Sequence, residues 1–330
     1  MKKYVIAIDL GGTNIKVAVI KNEKKILNKA TMPTKIYKNK QGLIDGLSQL
    51  CRGLIKKSGL KKKDILGIGI GAPGLIDSKR GIIHHLVNIK GFKDVPLRGL
   101  IQKKTGIRTF LDNDVNVMTL GELYYGAGKG AKNMICITVG TGVGGGIVID
   151  GRLYRGSTLS AGEIGHMPLN ETGPKCDCGG FGCMEKFVGN KYIVDITVKK
   201  IKEGNKSVIT KLVSAEGGSA YGGKGNLKRI TPEVVSFAAK KQDRLAKKIW
   251  KEVGSHLGVT LAGVINLLNP ERIVIGGGVA EAGNVLFEAI RKTIRERAMK
   301  IPASAVKIVK AKLGQDAGLI GAAALVRLAI

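Results

Sequence analysis

The chain has 330 residues, 44% of them hydrophobic, with a mean hydropathy of +0.07, which fits one or two globular domains and excludes a disordered or disulfide-stapled chain. No run of eighteen apolar residues occurs, and the stretch from Met1 to Asp9 meets an acid and two glycines too early for a membrane helix or secretory leader. The charge is lopsided: 55 Lys and Arg against 25 Asp and Glu, a formal +30.

That charge is not a tail, because residues 1–115 carry 24 basic and 8 acidic side chains and residues 116–330 carry 31 and 17. Most are lysines in short clusters such as Lys61-Lys62-Lys63, with little aromatic interleaving. They read as a solvated basic surface rather than as a nucleic-acid interface. Five cysteines, three of them within residues 176–183, do not form a secreted disulfide framework, and a cytoplasmic protein is expected.

In chain order, alternation and β-branched residues predict strands over residues 3–8, 15–20 and 26–31, with a turn at Gly11-Gly12-Thr13. Apolar residues at Leu43, Ile44, Leu47, Leu50, Leu54 and Ile55 have helical spacing. A strand at 65–70, a Gly-Ala-Pro-Gly turn at 71–74, a strand at 107–111 and a helix over 115–125 follow. At residue 133 the opening pattern returns: a strand at 134–139, the turn Gly140-Thr141-Gly142, a strand at 143–149 and a short third strand. Thr231-Pro232-Glu233 starts a helical region that reaches Leu268, with Gly254 as a candidate break. A strand at 272–275, a helix over 285–299, a strand at 306–309 and a closing helix from about 316 complete the chain. The Gly-, Lys- and Ser-rich segment 203–229 is the candidate insertion. The repeat predicts an α/β fold of duplicated domains with a cleft between them. The first domain is expected at 1–115, with the helix at 316–330 packing back onto it, and the larger second domain at 116–315.

Three motifs carry chemistry. Asp9-Leu10-Gly11-Gly12-Thr13-Asn14 offers backbone N–H groups and a hydroxyl to phosphate oxygens, with a carboxylate suited to a metal-bound water. Gly140 to Gly146 repeats such a loop, and Gly276-Gly277-Gly278 adds a third after a strand. Gly140, Gly142 and Gly145 also satisfy the dinucleotide spacing, but the β-type residues that follow are not the helix start that reading requires. The second motif is Glu163-Ile164-Gly165-His166 followed by Cys176, Cys178 and Cys183. One imidazole and three thiolates make a closed tetrahedral zinc site of structural type; reduced thiols or a redox switch are the other readings. Cys51 and Cys136 sit in apolar patterns and read as core. The third is Asp112-Asn113-Asp114-Val115-Asn116 at a strand-to-helix junction, where a helix cap or a carboxylate base fits equally.

With Gly71-Ala72-Pro73-Gly74, Glu122 and Glu185 added, these motifs in this order resemble the ROK family of sugar kinases, within the actin and hexokinase fold, over essentially the whole chain. The second half most resembles its glucokinase branch. The resemblance implies Asp114 as the general base for a sugar hydroxyl attacking the γ-phosphate of ATP. It also implies sugar contacts from Asn88, Asn113, Asp114, Glu163, His166 and Glu185. Mg2+-ATP would face Asp9, Gly11, Gly12, Thr13, Thr141 and Gly142, and the nucleoside Gly276, Gly277 and Gly278. Structural Zn2+ would be held by His166, Cys176, Cys178 and Cys183. Glucose to glucose 6-phosphate is the expected reaction, with N-acetylglucosamine, N-acetylmannosamine, fructose, mannose and allose as alternatives, in a homodimer or homotetramer. The family also contains sugar-responsive repressors with a DNA-reading domain in front; a phosphate strand beginning at Lys3 leaves no room for one in this reading. A non-catalytic polyanion binder would rest on charge alone.

Overall fold

The computed structural model describes residues 3–86, 89, 91–214 and 226–330. The first half runs β1 (Tyr4–Leu10), β2 (Asn14–Lys21), β3 (Lys25–Pro33), α1 (Lys40–Lys57), β4 (Ile65–Ala72), β5 (Ile76–Asp77), β6 (Ile82–His85), β7 (Lys93–Val95), α2 (Leu97–Thr105), β8 (Thr109–Asn113) and α3 (Asp114–Tyr125). The second half runs β9 (Met134–Val139), β10 (Val143–Ile149), β11 (Arg152–Tyr154), α4 (Glu185–Val188), α5 (Asn190–Lys202), α6 (Ile209–Leu212), α7 (Pro232–Lys240) and α8 (Arg244–Leu268). It closes with β12 (Arg272–Gly276), α9 (Asn284–Arg297), α10 (Lys300–Ala305), β13 (Lys307–Lys310) and α11 (Ala317–Leu328).

The duplication is visible in the strand orders, β3-β2-β1-β4-β8 and β11-β10-β9-β12-β13, which are the same permutation of five strands. In each sheet the outer hairpin strands are antiparallel and the last two strands parallel. A small third sheet, β5-β6-β7, belongs to the first half alone. Contacts divide the chain into two compact units: 1–136 with 146–162 and 311–330, and 137–145 with 163–310. The first unit therefore extends past the residue 115 expected from sequence, because α3 packs against α11 and both lie on the first sheet.

Two-residue alternation explains how β1 is buried on both faces. Ile6, Ile8 and Leu10 join Leu43, Leu47 and Cys51 of α1, whereas Val5 and Ala7 join Val117 of α3 and Leu319, Ala323 and Val326 of α11. In β4 the alternation is Gly67, Gly69, Gly71 on the second face, and a Cβ at Gly69 would lie 2.0 Å from the Ala322 carbonyl oxygen. Bare backbone on that face lets α11 lie close to the sheet, which brings its first turn to Asp9.

The second unit uses the same device between helices. Gly254 does not break α8, which runs unbroken to Leu268. A Cβ there would meet the Leu286 carbonyl oxygen at 2.7 Å, so the glycine serves the close crossing of α8 and α9. The break expected there lies earlier, where the Asp243 carboxylate accepts from Ala246 N–H and caps α8. Thr231 caps α7 as its sequence indicates. Of the expected insertion, residues 215–225 lie outside the described residues. Sequence patterning missed α2, α4, α5, α10 and the small third sheet; all but α5 are short elements. No helix among the described residues is long and apolar enough to cross a membrane.

Candidate active site

In the first unit, β1, β4 and β8 run parallel, and their register aligns Asp9 with Gly71, Gly71 with Asp112, and Ala72 with Asn113. The acids and the Gly-Ala-Pro-Gly turn therefore share the carboxyl end of one sheet, where open α/β sheets bind ligands. The junction of β8 and α3 is built by side chains. Asn113 Oδ1 accepts from the N–H groups of Val115 and Asn116, and its Nδ2 donates to the Gly74 carbonyl at 3.3 Å. Both ends of this amide are thus engaged in shaping the junction. Asp114 follows as the first residue of α3, half-buried, its Oδ1 accepting from Val115 N–H at 2.9 Å.

Asp9 is held differently. Its side chain is 21% exposed, with Lys16 Nζ at 3.5 Å, and a Cβ at Gly318 would lie 2.6 Å from its carboxyl carbon. Desolvation is the main influence and raises its pKa, with Lys16 and Lys29 opposing. Beside it the β1–β2 turn is tight: Gly11 N–H donates to the Asn14 carbonyl at 3.0 Å, and Thr34 bonds to Gly11 and Thr13. Gly12 and Thr13 are left exposed.

The equivalent β9–β10 turn lies in the second unit. Gly140 N–H donates to the Gly142 carbonyl at 2.9 Å, Asn190 N–H to the Gly140 carbonyl at 2.8 Å, and Val143 N–H to Glu185 Oε2 at 2.7 Å. Gly277, at φ +83°, places its α-carbon so close to β9 that a Cβ would lie 2.2 Å from the Val139 carbonyl oxygen. The structure thereby sets Gly276 to Gly278 beside the Gly140-Thr141-Gly142 turn, with Thr141, Gly142, Gly277 and Gly278 exposed.

His166, Cys176, Cys178 and Cys183 come together, with one ligand atom of each within 4.8 Å of all the others. His166 Nδ1 lies 3.6 Å from Cys176 Sγ, and Cys178 Sγ lies 3.6 Å from Cys183 Sγ. A tetrahedral zinc with the usual bond lengths would need edges of about 3.6 Å (N to S) and about 3.8 Å (S to S), so the donor set fits that ion in chemistry and spacing. Burial, then the neighbouring thiols, pushes Cys183 up to about 12, whereas the Gly180 backbone hydrogen bond lowers Cys178. His166 Nε2, on the other side of the ring, lies 3.8 Å from Glu163 Oε2. Cys51 and Cys136 are buried, and burial pushes each up to about 12.

The sequence-derived set therefore falls into two groups. Asp9, Gly11, Gly12, Thr13, Asn113 and Asp114 lie in the first unit; Thr141, Gly142, Glu163, His166, Glu185, the cysteines and Gly276 to Gly278 lie in the second. Asn88 lies outside the described residues. Sequence reasoning missed two supports. Asp112, 2% exposed, takes both Nε and a terminal nitrogen of Arg155 on one oxygen, at 2.8 and 2.6 Å. Glu122, 1% exposed, accepts from the N–H groups of Ala127, Lys312 and Leu313, tying α3 to the approach of α11. No spacing links Arg155 to Asp112 or Lys312 and Leu313 to Glu122, since these pairs are distant in sequence.

Residues 5–329 match the model described as "ROK family". A glucokinase of Halalkalibacterium halodurans is 37% identical over 98% of this chain and 95% of its own length. A xylose repressor of Caldicellulosiruptor bescii is 32% identical over 98% of this chain but 77% of its own length. A ROK family glucokinase from Streptomyces griseus, solved with glucose and AMPPNP, is 31% identical, with a TM-score of 0.82 and coverage of 98% of this chain and 99% of that one.

Proposed function

The chain belongs to the ROK family, and from that premise we propose that it is a sugar kinase that phosphorylates a hexose from ATP, glucose first among the candidates. The observation that carries the reading is the junction of β8 and α3, where a capped helix start presents a half-buried carboxylate at the carboxyl end of the sheet. A transcriptional regulator that only senses sugar does not need a base there. Similarity to glucokinases along nearly the full length of both chains supports the same reading.

In this mechanism Asp114 takes the proton from the attacking hydroxyl through a carboxylate oxygen as the phosphoryl group is transferred. Asn113 fixes where that carboxylate stands. Glu163 and the Nε2 side of His166 offer an acceptor and a ring nitrogen to sugar hydroxyls, and Glu185 offers its second oxygen. The two glycine turns present backbone N–H groups to phosphate oxygens. Asp9 fits Mg2+: its carboxylate is desolvated and raised, so a nearby divalent cation offsets the cost of its charge. When bound, Mg2+ neutralises phosphate charge. Zinc on His166 and the three cysteines would brace the loop that ends in Glu185, with no open position for chemistry.

An ADP-coupled assay over a hexose panel tests the proposal. Glucose should turn over fastest, and Asp114→Asn should lower kcat about 10²- to 10⁴-fold while glucose still binds. The second reading, a sugar-responsive regulator, is favoured by the similarity to the xylose repressor. It predicts glucose or xylose binding with no turnover above the Asp114→Asn background.

A further inference from the structure

We propose that Arg155 is a positioning residue for the base: through buried Asp112 it orients the Asn113–Asp114 junction and cancels the negative charge built in beside Asp114. The inference rests on Asp114 acting as the base. Asp112 is 2% exposed and its two oxygens are fully engaged. Oδ2 holds Arg155, while Oδ1 accepts from Asn113 N–H at 2.8 Å and Asn116 Nδ2 at 3.1 Å. A carboxylate fixed on both sides fixes the Asn113 peptide, and Asn113 in turn caps α3 and places Asp114 at its first position. The guanidinium comes from the segment after β11, so the register of the β10–β11 hairpin is transmitted to the base.

The same pair has an electrostatic consequence. Asp112 stands two residues from Asp114, and without its cation it would be a like charge beside the base. At an effective dielectric of about 20, a like charge within several ångströms raises a carboxyl by roughly one to two pH units. Among the described residues, the acids on the neighbouring elements are balanced or held independently of Arg155. Asp9, two strands away, has Lys16 beside it; Asp316, ahead of α11, pairs with Lys29; Glu122 on α3 is held by backbone N–H groups. The facing residues at the end of β4 and in the turn after it, Gly71 to Gly74, carry no charge.

The test is the pH profile of kcat/KM for the hexose in wild type, Arg155→Gln, Arg155→Lys and the double variant Arg155→Gln with Asp112→Asn. Arg155→Gln should move the acid limb up by roughly one to two pH units and lower kcat about tenfold, with KM for the sugar within about threefold. Arg155→Lys should keep the limb in place, and the double variant should return it to the wild-type position although kcat stays low. A purely structural role lowers kcat in every variant and leaves every limb where it was; that result overturns the proposal. Should Arg155→Gln not fold, Asp112→Asn alone decides, because the uncompensated guanidinium must then move the limb down, and an unmoved limb refutes the pair's electrostatic role. A wild-type chain without turnover removes the kinase reading and this proposal with it.

Discussion

The turn between β1 and β2 and the turn between β9 and β10 occupy the same place in two sheets of the same strand order, yet they are braced by different means. The first carries its own acid, Asp9, and is held by Thr34 and by the first turn of α11 packing at Gly318. The second carries no acid and borrows one: Glu185 reaches Val143 N–H from the helix that follows the cysteine loop. Duplication supplied the position of both turns. What packs behind each differs: regular helix in one case, a loop carrying a His-Cys cluster in the other.

The largest expected effect breaks the brace of the second turn. One zinc equivalent per chain is expected from metal analysis, and Cys178→Ala should abolish stoichiometric binding, since structural zinc contributes on the order of 10 kcal/mol to the folding of its loop. Hydrogen exchange should then accelerate over residues 140–146 and 163–185 and stay unchanged over residues 10–14. Equal acceleration in both turns would show that they are not independently held. A smaller and more local effect is expected from Glu185→Gln, which replaces a charge-assisted bond to Val143 N–H with a neutral one. Nucleotide affinity should fall about five- to tenfold, the weight of about 1 kcal/mol, with zinc content intact. Loss of zinc in this variant would mean that the carboxylate supports the metal loop rather than the turn.

The difference between the turns also explains what could be read from sequence. Strands, the glycine turns and the His-Cys set were legible because each is a local pattern: two-residue alternation, residues that permit unusual backbone, or ligand types within about twenty positions. Gly254 was misread because a helix glycine that admits a neighbouring helix looks, in one dimension, like a helix break. The roles of Asp112, Arg155 and Glu122 were illegible for the same reason at longer range. Their partners are brought by the fold, from the β10–β11 hairpin and from the segment before α11, and no spacing announces them. The motif Asp112-Asn113-Asp114 showed three polar residues but not which one is buried as a support. The structure separates the two acids: Asp112 is 2% exposed beneath a guanidinium, whereas Asp114 stands half-buried at the helix start.

The smallest expected effect concerns the acid that distinguishes the first turn. Desolvation raises Asp9 above its ordinary value, so its ionised form is less favourable in the folded chain than in the unfolded one. The sign follows from proton linkage: a carboxyl raised by folding contributes stability while it is protonated, and that contribution is lost as the pH rises through its folded value. At pH 7 the charge is therefore a cost, and Asp9→Asn should raise Tm slightly there, with the gap to wild type closing as the pH falls through the carboxylate range. Nucleotide binding in the presence of Mg2+ should weaken in the same variant. Under the proposed function, a desolvated acid retained at a cost in stability is explained by its service to Mg2+. If Asp9→Asn instead lowered Tm at pH 7, Lys16 would outweigh the desolvation, and the first turn would be braced by an ion pair rather than prepared for Mg2+.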